Sequence, residues 1–203
     1  MEFFKYGETE IAHLKRRDKK LGLAIERIGL IQRQIITDLF AALVHSIVGQ
    51  QISAKAAATV WKRLQEYFCE LTPQKIAAAT AAEIQQCGLS MRKASYIKGI
   101  GEAVVTGELL IDEFSELTDG EIIERLSSLN GIGIWTAEML LIFSLERPDV
   151  VSWGDLAIRR GIMRLYGLKK LDKGAFARYK KRYSPYGSVA SLYLWAVAVE
   201  PST

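Results

Sequence analysis

The stretch that most constrains this chain is Leu129-Asn130-Gly131-Ile132-Gly133-Ile134-Trp135-Thr136. Two glycines separated by one residue let a backbone turn tightly where a positive φ or a close approach would exclude a Cβ. The apolar run after them, residues 134–145, has the length of a helix, so the turn delivers the chain into a helix start. At such a start the first N–H groups lack carbonyl partners within the helix and coincide with the positive end of its dipole, which suits an anion. No Gly-Lys-Ser/Thr follows the glycines and no β-rich segment precedes them. A nucleotide P-loop and a dinucleotide fingerprint are therefore excluded. Two readings remain: a helix-hairpin-helix whose ligand is a phosphate of a polymer backbone, or a glycine-containing turn between two core helices.

The rest of the chain sets the frame for that turn. At 203 residues it can form one compact unit or two small lobes. Helix formers dominate, alternating β-branched runs are nearly absent, and 49% hydrophobic with 25% charged residues is ordinary for a soluble protein. An all-α fold follows. Amphipathic spacing predicts helices over 8–17 and 19–28, whose role is packing, with His13 and Lys15-Arg16-Arg17 on a solvated edge. Capping residues mark the later starts: Thr37 or Asp38, Ser53, Thr72 before Pro73, Thr80 with Glu83, Thr118 with Glu121, and Asp172. A helix from Leu89-Ser90 to about Thr106 has Arg92 and Lys93 in its first turn, where cations are unfavourable unless an anion is near.

Charge is unevenly spread. The net value is only +4, yet residues 159–182 hold ten Lys and Arg with one acid, Asp172, and residues 102–124 hold eight acids and no base. Such a chain presents one basic face, as a polyanion binder does, or simply a solvated helix face. The two cysteines, Cys69 and Cys87, form no CxxC and cannot build a metal site by themselves, so free thiols and no metal are expected. Residues 1–20 are polar and the longest apolar helical stretches are too short to span a bilayer. The expectation is a soluble intracellular protein without a membrane partner, cytoplasmic or nucleoid-associated in a bacterium and nuclear in a eukaryote.

Asp155 lies twenty-two positions after Gly133, preceded by Gly154 and in front of an apolar helix. Together with the hairpin, that spacing resembles the helix-hairpin-helix, Gly/Pro-rich, Asp superfamily of DNA base-excision glycosylases, and within it the 3-methyladenine DNA glycosylase II branch. Three further segments match in the family's order: His45-Ser46-Ile47-Val48-Gly49-Gln50-Gln51-Ile52-Ser53, Gly88-Leu89-Ser90-Met91-Arg92-Lys93-Ala94, and Ser184-Pro185-Tyr186-Gly187-Ser188-Val189-Ala190 with Trp195. The likeness runs from about residue 35 to the C-terminus. It implies a two-lobed helical bundle with the hairpin at the interdomain cleft, one lobe over residues 37–144 and the other from 1–36 with 145–203. The implied partner is double-stranded DNA with alkylated bases, met by a monomer.

The chemistry implied is hydrolysis of an N-glycosidic bond through a sugar of oxocarbenium character, which a carboxylate stabilises while it directs a water. Asp155 is the candidate. It is equally suited to cap the helix that follows, and the two roles are compatible because a helix start favours negative charge. Bifunctional members of the family place a Lys two residues after the second hairpin glycine; here Trp135 stands there, so no strand-cutting lyase step is expected. The resemblance places Trp135, Trp153, Tyr186 and His45 in or beside the pocket for an extruded base, although each also serves as ordinary core packing, as Trp195 does. Met139 and Leu156 occupy positions held by tyrosines in a well-known relative, and Gly154 replaces an acid. DNA-backbone contacts fall to Leu129, Gly131, Gly133, Thr136, Arg92 and Lys93. The side chain that fills the gap left by the flipped base is Val48, Gln50 or Gln51. No cofactor is implied, apart from a structural monovalent cation that hairpin carbonyls hold in relatives. The alternatives are a glycosylase for uracil, hypoxanthine or an oxidised purine, and a non-catalytic DNA-binding module.

Overall fold

A computed structural model describes residues 2–200. Its regular structure is helical throughout the described residues, apart from two-residue strands β1 (Glu2–Phe3) and β2 (Gln34–Ile35), antiparallel with Glu2 opposite Ile35. Strands this short carry no visible alternation, so the sequence did not signal them. The chain divides into two compact units, Met1–Ile35 with Leu141–Thr203, and Ile36–Leu140.

The first unit opens with α1 (Glu8–Arg17) and α2 (Lys19–Ile28). The second contains α3 (Leu39–Gly49), α4 (Ala54–Phe68), α5 (Pro73–Ala78), α6 (Ala81–Gln86), α7 (Met91–Val105) and α8 (Asp119–Ser127). Residues 109–117, the acidic connector, include a 3-10 turn at Ile111–Ser115. Then α9 (Ile134–Phe143) carries the chain back to the first unit, which α10 (Leu156–Tyr166), α11 (Lys173–Tyr183) and α12 (Gly187–Val199) complete.

Most helix starts follow from one side chain each. Asp18, Asp38, Ser53, Thr72, Thr80, Ser90, Thr118, Asp155 and Asp172 all accept a hydrogen bond from the amide three residues on. Each such cap stabilises its helix by about 1 kcal/mol. In the second unit α7 is the element on which α3, α5 and α6 pack. In the first, α12 is buried from Gly187 through Leu194. A helix apolar on every side must sit inside. Helices α2, α10 and α11 pack around it. The α10 contact is closest, since a Cβ on Gly161 would fall on the backbone carbonyl of Leu194.

Asp18 ties α1, α2, α10 and α11 together. It is 4% exposed, and it accepts from Leu21 N at 3.0 Å, Tyr166 Oη at 2.6 Å and Arg182 at 2.8 Å. Burial alone would raise this carboxyl's pKa, but the hydrogen bonds from Leu21, Tyr166 and Arg182 outweigh it and hold the value below 3.8. A depressed carboxyl contributes stability above its unfolded pKa and loses it as pH falls through the folded one. We expect Asp18→Asn, which keeps the cap but not the charge, to lose roughly 1–3 kcal/mol at pH 7. In urea melts the gap between variant and parent should close once the pH falls below the folded pKa; a gap of constant size would contradict this account.

Candidate functional site

Residues 128–133 join α8 to α9. Leu129 N donates to Leu126 O at 3.2 Å, Ile132 N to Leu129 O at 3.1 Å, and Ala137 N to Gly133 O at 2.9 Å. The two glycines prove unequal. Gly131 has φ +89°, and a Cβ there would stand 2.5 Å from the Tyr96 ring. Only glycine fits. Gly133 has ordinary φ, is exposed, and its Cβ would meet no protein atom within 4 Å. Nothing inside the molecule demands glycine at that position, so the space in front of it is open to an incoming group. Ile132, between them, is 4% exposed and anchors the turn, whereas Ile134 and Trp135 at the helix start are 62% and 49% exposed. Leu129 and Thr136 are half-buried.

The hairpin is held from behind by the turn after α3. Gln50 Nε2 donates to Gly131 O at 2.8 Å, and Lys93 Nζ donates to Val48 O at 2.9 Å and Gln50 O at 2.5 Å. Lys93 thus closes the carbonyl end of α3; burial, then the Arg92 charge beside it, lowers its pKa. The sequence grouped Lys93 with phosphate contacts, but its ammonium is engaged by these carbonyls, and only Arg92 of the pair is exposed. The gap-filling candidates separate as well. Val48 is 0% exposed, and a side chain that inserts between bases must project, so Val48 is corrected to a core residue. Gln50 is engaged by the hairpin. Gln51 stands at the tip with φ +56°, exposed, beside Ile52 at 41%. Gln50, Gln51, Ile52, Arg92 and Lys93 share the lining of a cavity of about 280 Å³. His45, half-buried, meets Trp61 edge-on at 4.9 Å, and burial lowers its pKa.

In the other unit the segment before α10 is fixed by α12. Ser188 Oγ donates to Arg147 O and accepts from Val150 N at 3.0 Å, and Ser191 Oγ donates to Val150 O at 2.9 Å. Asp149 accepts from Ser184 Oγ at 2.6 Å and from Gly187 N at 3.0 Å. Gly187 is needed there because a Cβ would press on Asp149 and Val151. Val150, Val151 and Ser152 are buried, and the clamped segment delivers Asp155, 7% exposed, with Oδ1 accepting from Ile158 N at 2.8 Å. Trp153 packs edge-on to Phe176 at 5.1 Å, and the Arg159 guanidinium lies 5.0 Å from its ring centre. Leu156, next to the carboxylate, is 50% exposed.

Tyr186, half-buried at the start of α12, meets His13 edge-on at 5.2 Å, and His13 Nε2 lies 3.1 Å from Ser184 O. His13 is therefore a packing partner of this loop rather than a solvated edge. The sequence could not show it, because the two lie 173 residues apart. Ser188, Ser191 and Asp149 were missed for the same reason: small polar residues on an apolar helix, and an acid in the segment they hold, reveal a clamp only when the two are seen together. Trp195 packs on Phe143 at 5.5 Å, as a core residue should.

Comparison with known proteins gives these geometries a setting. The family model described as the HhH-GPD superfamily base excision DNA repair protein matches residues 44–185. DNA-3-methyladenine glycosylase 1 of Schizosaccharomyces pombe is 35% identical over 161 residues, covering 77% of this chain and 71% of that protein. Among solved structures, a DNA-3-methyladenine glycosidase from Bacillus halodurans superposes with a TM-score of 0.87 at 36% identity, over 98% of this chain and 93% of that one. The 3-methyladenine DNA glycosylase Mag1 of S. pombe, in complex with abasic DNA, gives 0.78 at 30% identity over 93% and 95%.

Proposed function

The chain belongs to the HhH-GPD superfamily of base excision DNA repair proteins, and from that premise we propose that it is a monofunctional DNA glycosylase acting on alkylated purines, of the 3-methyladenine and 7-methylguanine type, in duplex DNA. The observation that carries this reading is Asp155, a nearly buried carboxylate held on a segment clamped by Ser188, Ser191 and Asp149. A carboxylate so fixed cannot relax away when positive charge develops near it, which is the condition for electrostatic catalysis.

The target nucleotide rotates out of the duplex, and Gln51, exposed on its turn, takes the vacated place. An alkylated purine carries positive charge, so aromatic faces hold it by stacking and cation–π attraction, about 0.5–2 kcal/mol each. Trp153 and Tyr186 offer such faces in the first unit and Trp135 in the second, where His45 packs on Trp61. As the C1′–N bond breaks, its electron pair leaves with the base, and Asp155 faces the oxocarbenium-like sugar. A water oxygen then bonds to C1′ and gives up its proton to the carboxylate. Trp135 has no amine to attack C1′, so the strand stays intact. The hairpin amides and Arg92 grip backbone phosphates without reading sequence, and the protein works as a monomer.

No organic cofactor enters this reading, and among the described residues no cluster of His, Cys, Asp or Glu could hold a metal. A monovalent cation would take hairpin carbonyls instead. Leu129 O accepts from Ile132 N and Gly131 O from Gln50 Nε2, and a carbonyl oxygen has two lone pairs with which to meet such an ion as well. No helix among the described residues is long and apolar enough to cross a membrane.

Incubation with methylated duplex tests the proposal: free 3-methyladenine and 7-methylguanine should appear, with strand breaks only after alkali. Release of uracil or hypoxanthine alone, or strand cleavage without alkali, would contradict it. The hairpin offers a separate check. Gly133→Ala should leave stability within about 1 kcal/mol yet weaken DNA binding roughly tenfold, by blocking close approach of a phosphate. Gly131→Ala should cost roughly 1–3 kcal/mol in thermal melts, through φ strain and the Tyr96 ring. Equal effects of the two on stability would refute the division of labour.

A further inference from the structure

The chain's charge is not shared between its two units. The unit formed by Met1–Ile35 and Leu141–Thr203 has nineteen Lys and Arg against ten Asp and Glu, net +9; Ile36–Leu140 has eight against thirteen, net −5, and together they give +4. The unit that holds the hairpin is thus the acidic one. Several of its cations are engaged internally: Lys93 on two carbonyls, Lys98 on Ala77 O and Ala79 O, Lys62 with Glu66 and Arg125 with Glu113. Amides can hold one phosphate, but affinity along a polyanion comes from cations that displace its counterions.

In the first unit the cations converge. At the turn from α1 to α2, Arg16, Arg17, Lys19 and Lys20 are all exposed around buried Asp18. Asp18 draws Arg182, and with it the end of α11 bearing Lys180 and Lys181, to the same turn. Beneath them the rings of Tyr166 and Tyr179 stack at 4.2 Å, with Lys20 Nζ 5.8 Å from the Tyr166 centre and Arg182 5.2 Å from that of Tyr179. The carboxylate at the middle of this group is consumed by Leu21, Tyr166 and Arg182. Lys15 pairs with Glu26 at 2.6 Å, but among the described residues no ion pair engages Arg16, Arg17, Lys19, Lys20, Lys180 or Lys181. Like charges gathered about one turn repel one another unless an anion with repeated charges covers them. Leu23, one turn on, is the only large apolar side chain exposed on α2, short of the apolar core that a protein interface would require.

We propose that residues 16–20 and 180–182 form a second DNA-contact surface, one that holds undamaged duplex through its phosphates and is distinct from the residues that receive the damaged base. The choice of duplex DNA as the polyanion rests on the glycosylase reading above. The test is the salt dependence of binding to an undamaged duplex, followed by fluorescence anisotropy from about 50 to 300 mM salt. In the full-length chain carrying Lys19→Gln, Lys20→Gln, Lys180→Gln and Lys181→Gln, the slope of log K against log salt should shrink by about 3 to 4. Affinity near 0.1 M should fall roughly a hundredfold. All four positions are exposed, so an unshifted thermal melt confirms an intact fold. A slope unchanged within about one unit would overturn the proposal. Failure of the glycosylase reading shows elsewhere: a parent protein that releases no alkylated base, while the variant still loses its salt slope, would remove that reading and leave this surface standing.

Discussion

Asp155→Asn is expected to reduce base release from methylated duplex by roughly a thousandfold in single-turnover assays, with the fold and the affinity for DNA preserved. The substitution separates the cap that this side chain makes from the charge role proposed for it. As a cap, Asn replaces Asp with little loss, and its carbonyl oxygen can still accept from Ile158 N, where Asp155 Oδ1 accepts at 2.8 Å. The stabilisation of a developing cation is lost, because a neutral amide neither opposes positive charge nor takes a proton from water. The residue is 7% exposed, so little solvent is at hand to substitute for the missing charge. A thermal melt within about 0.5 kcal/mol of the parent, beside a collapsed rate, would identify the charge as the active property. Excision that survives undiminished would remove Asp155 from the chemistry and leave it a helix cap in a DNA-binding module.

Gly161→Ala is expected to be the most damaging single methyl group in the protein. Its Cβ would land on the carbonyl of Leu194, so α10 must withdraw from α12, and a backbone cannot swing aside as a side chain can. Overpacking of this kind costs about 3 kcal/mol. For a chain of this size that corresponds to a melting temperature lower by roughly 6–12 °C. Because Asp155 caps the start of α10, base release should fall along with stability, unlike in the Asn variant. Gly99→Ala on α7 is the control: its Cβ would meet nothing within 4 Å, and removing a helical glycine should stabilise by roughly 0.5–1 kcal/mol. If both alanines destabilised alike, the loss would reflect a general sensitivity to substitution, not the helix crossing.

The helices and their starts were legible in the sequence. Thr80 with Glu83, Thr118 with Glu121, and Asp172 all cap where their spacing places them, since a cap is decided within four residues. Between Thr37 and Asp38 the structure chooses Asp38. Ends were less sharp: the helix expected to reach residue 145 stops at Phe143, and the last one begins at Gly187 rather than Tyr186. The motif residues of the site were legible too, but not the state of each. Lys93, Val48 and Gln50 are surface candidates by their places in the motifs, and the fold turns the first onto carbonyls, buries the second and ties the third to Gly131 O.

By itself the sequence determined an all-helical chain, the glycine hairpin, the absence of a lysine at Trp135 and the acid at Asp155, because each depends on residue identity or on spacings of a few residues. Only the tertiary structure decided that Gly131 is required by Tyr96 while Gly133 is not, that α12 clamps the segment carrying Asp155, and that Asp18 gathers the basic ends of α1 and α11. Those facts join residues far apart in the chain. Local patterns record the propensity of a segment but not the neighbour that long-range packing will bring against it.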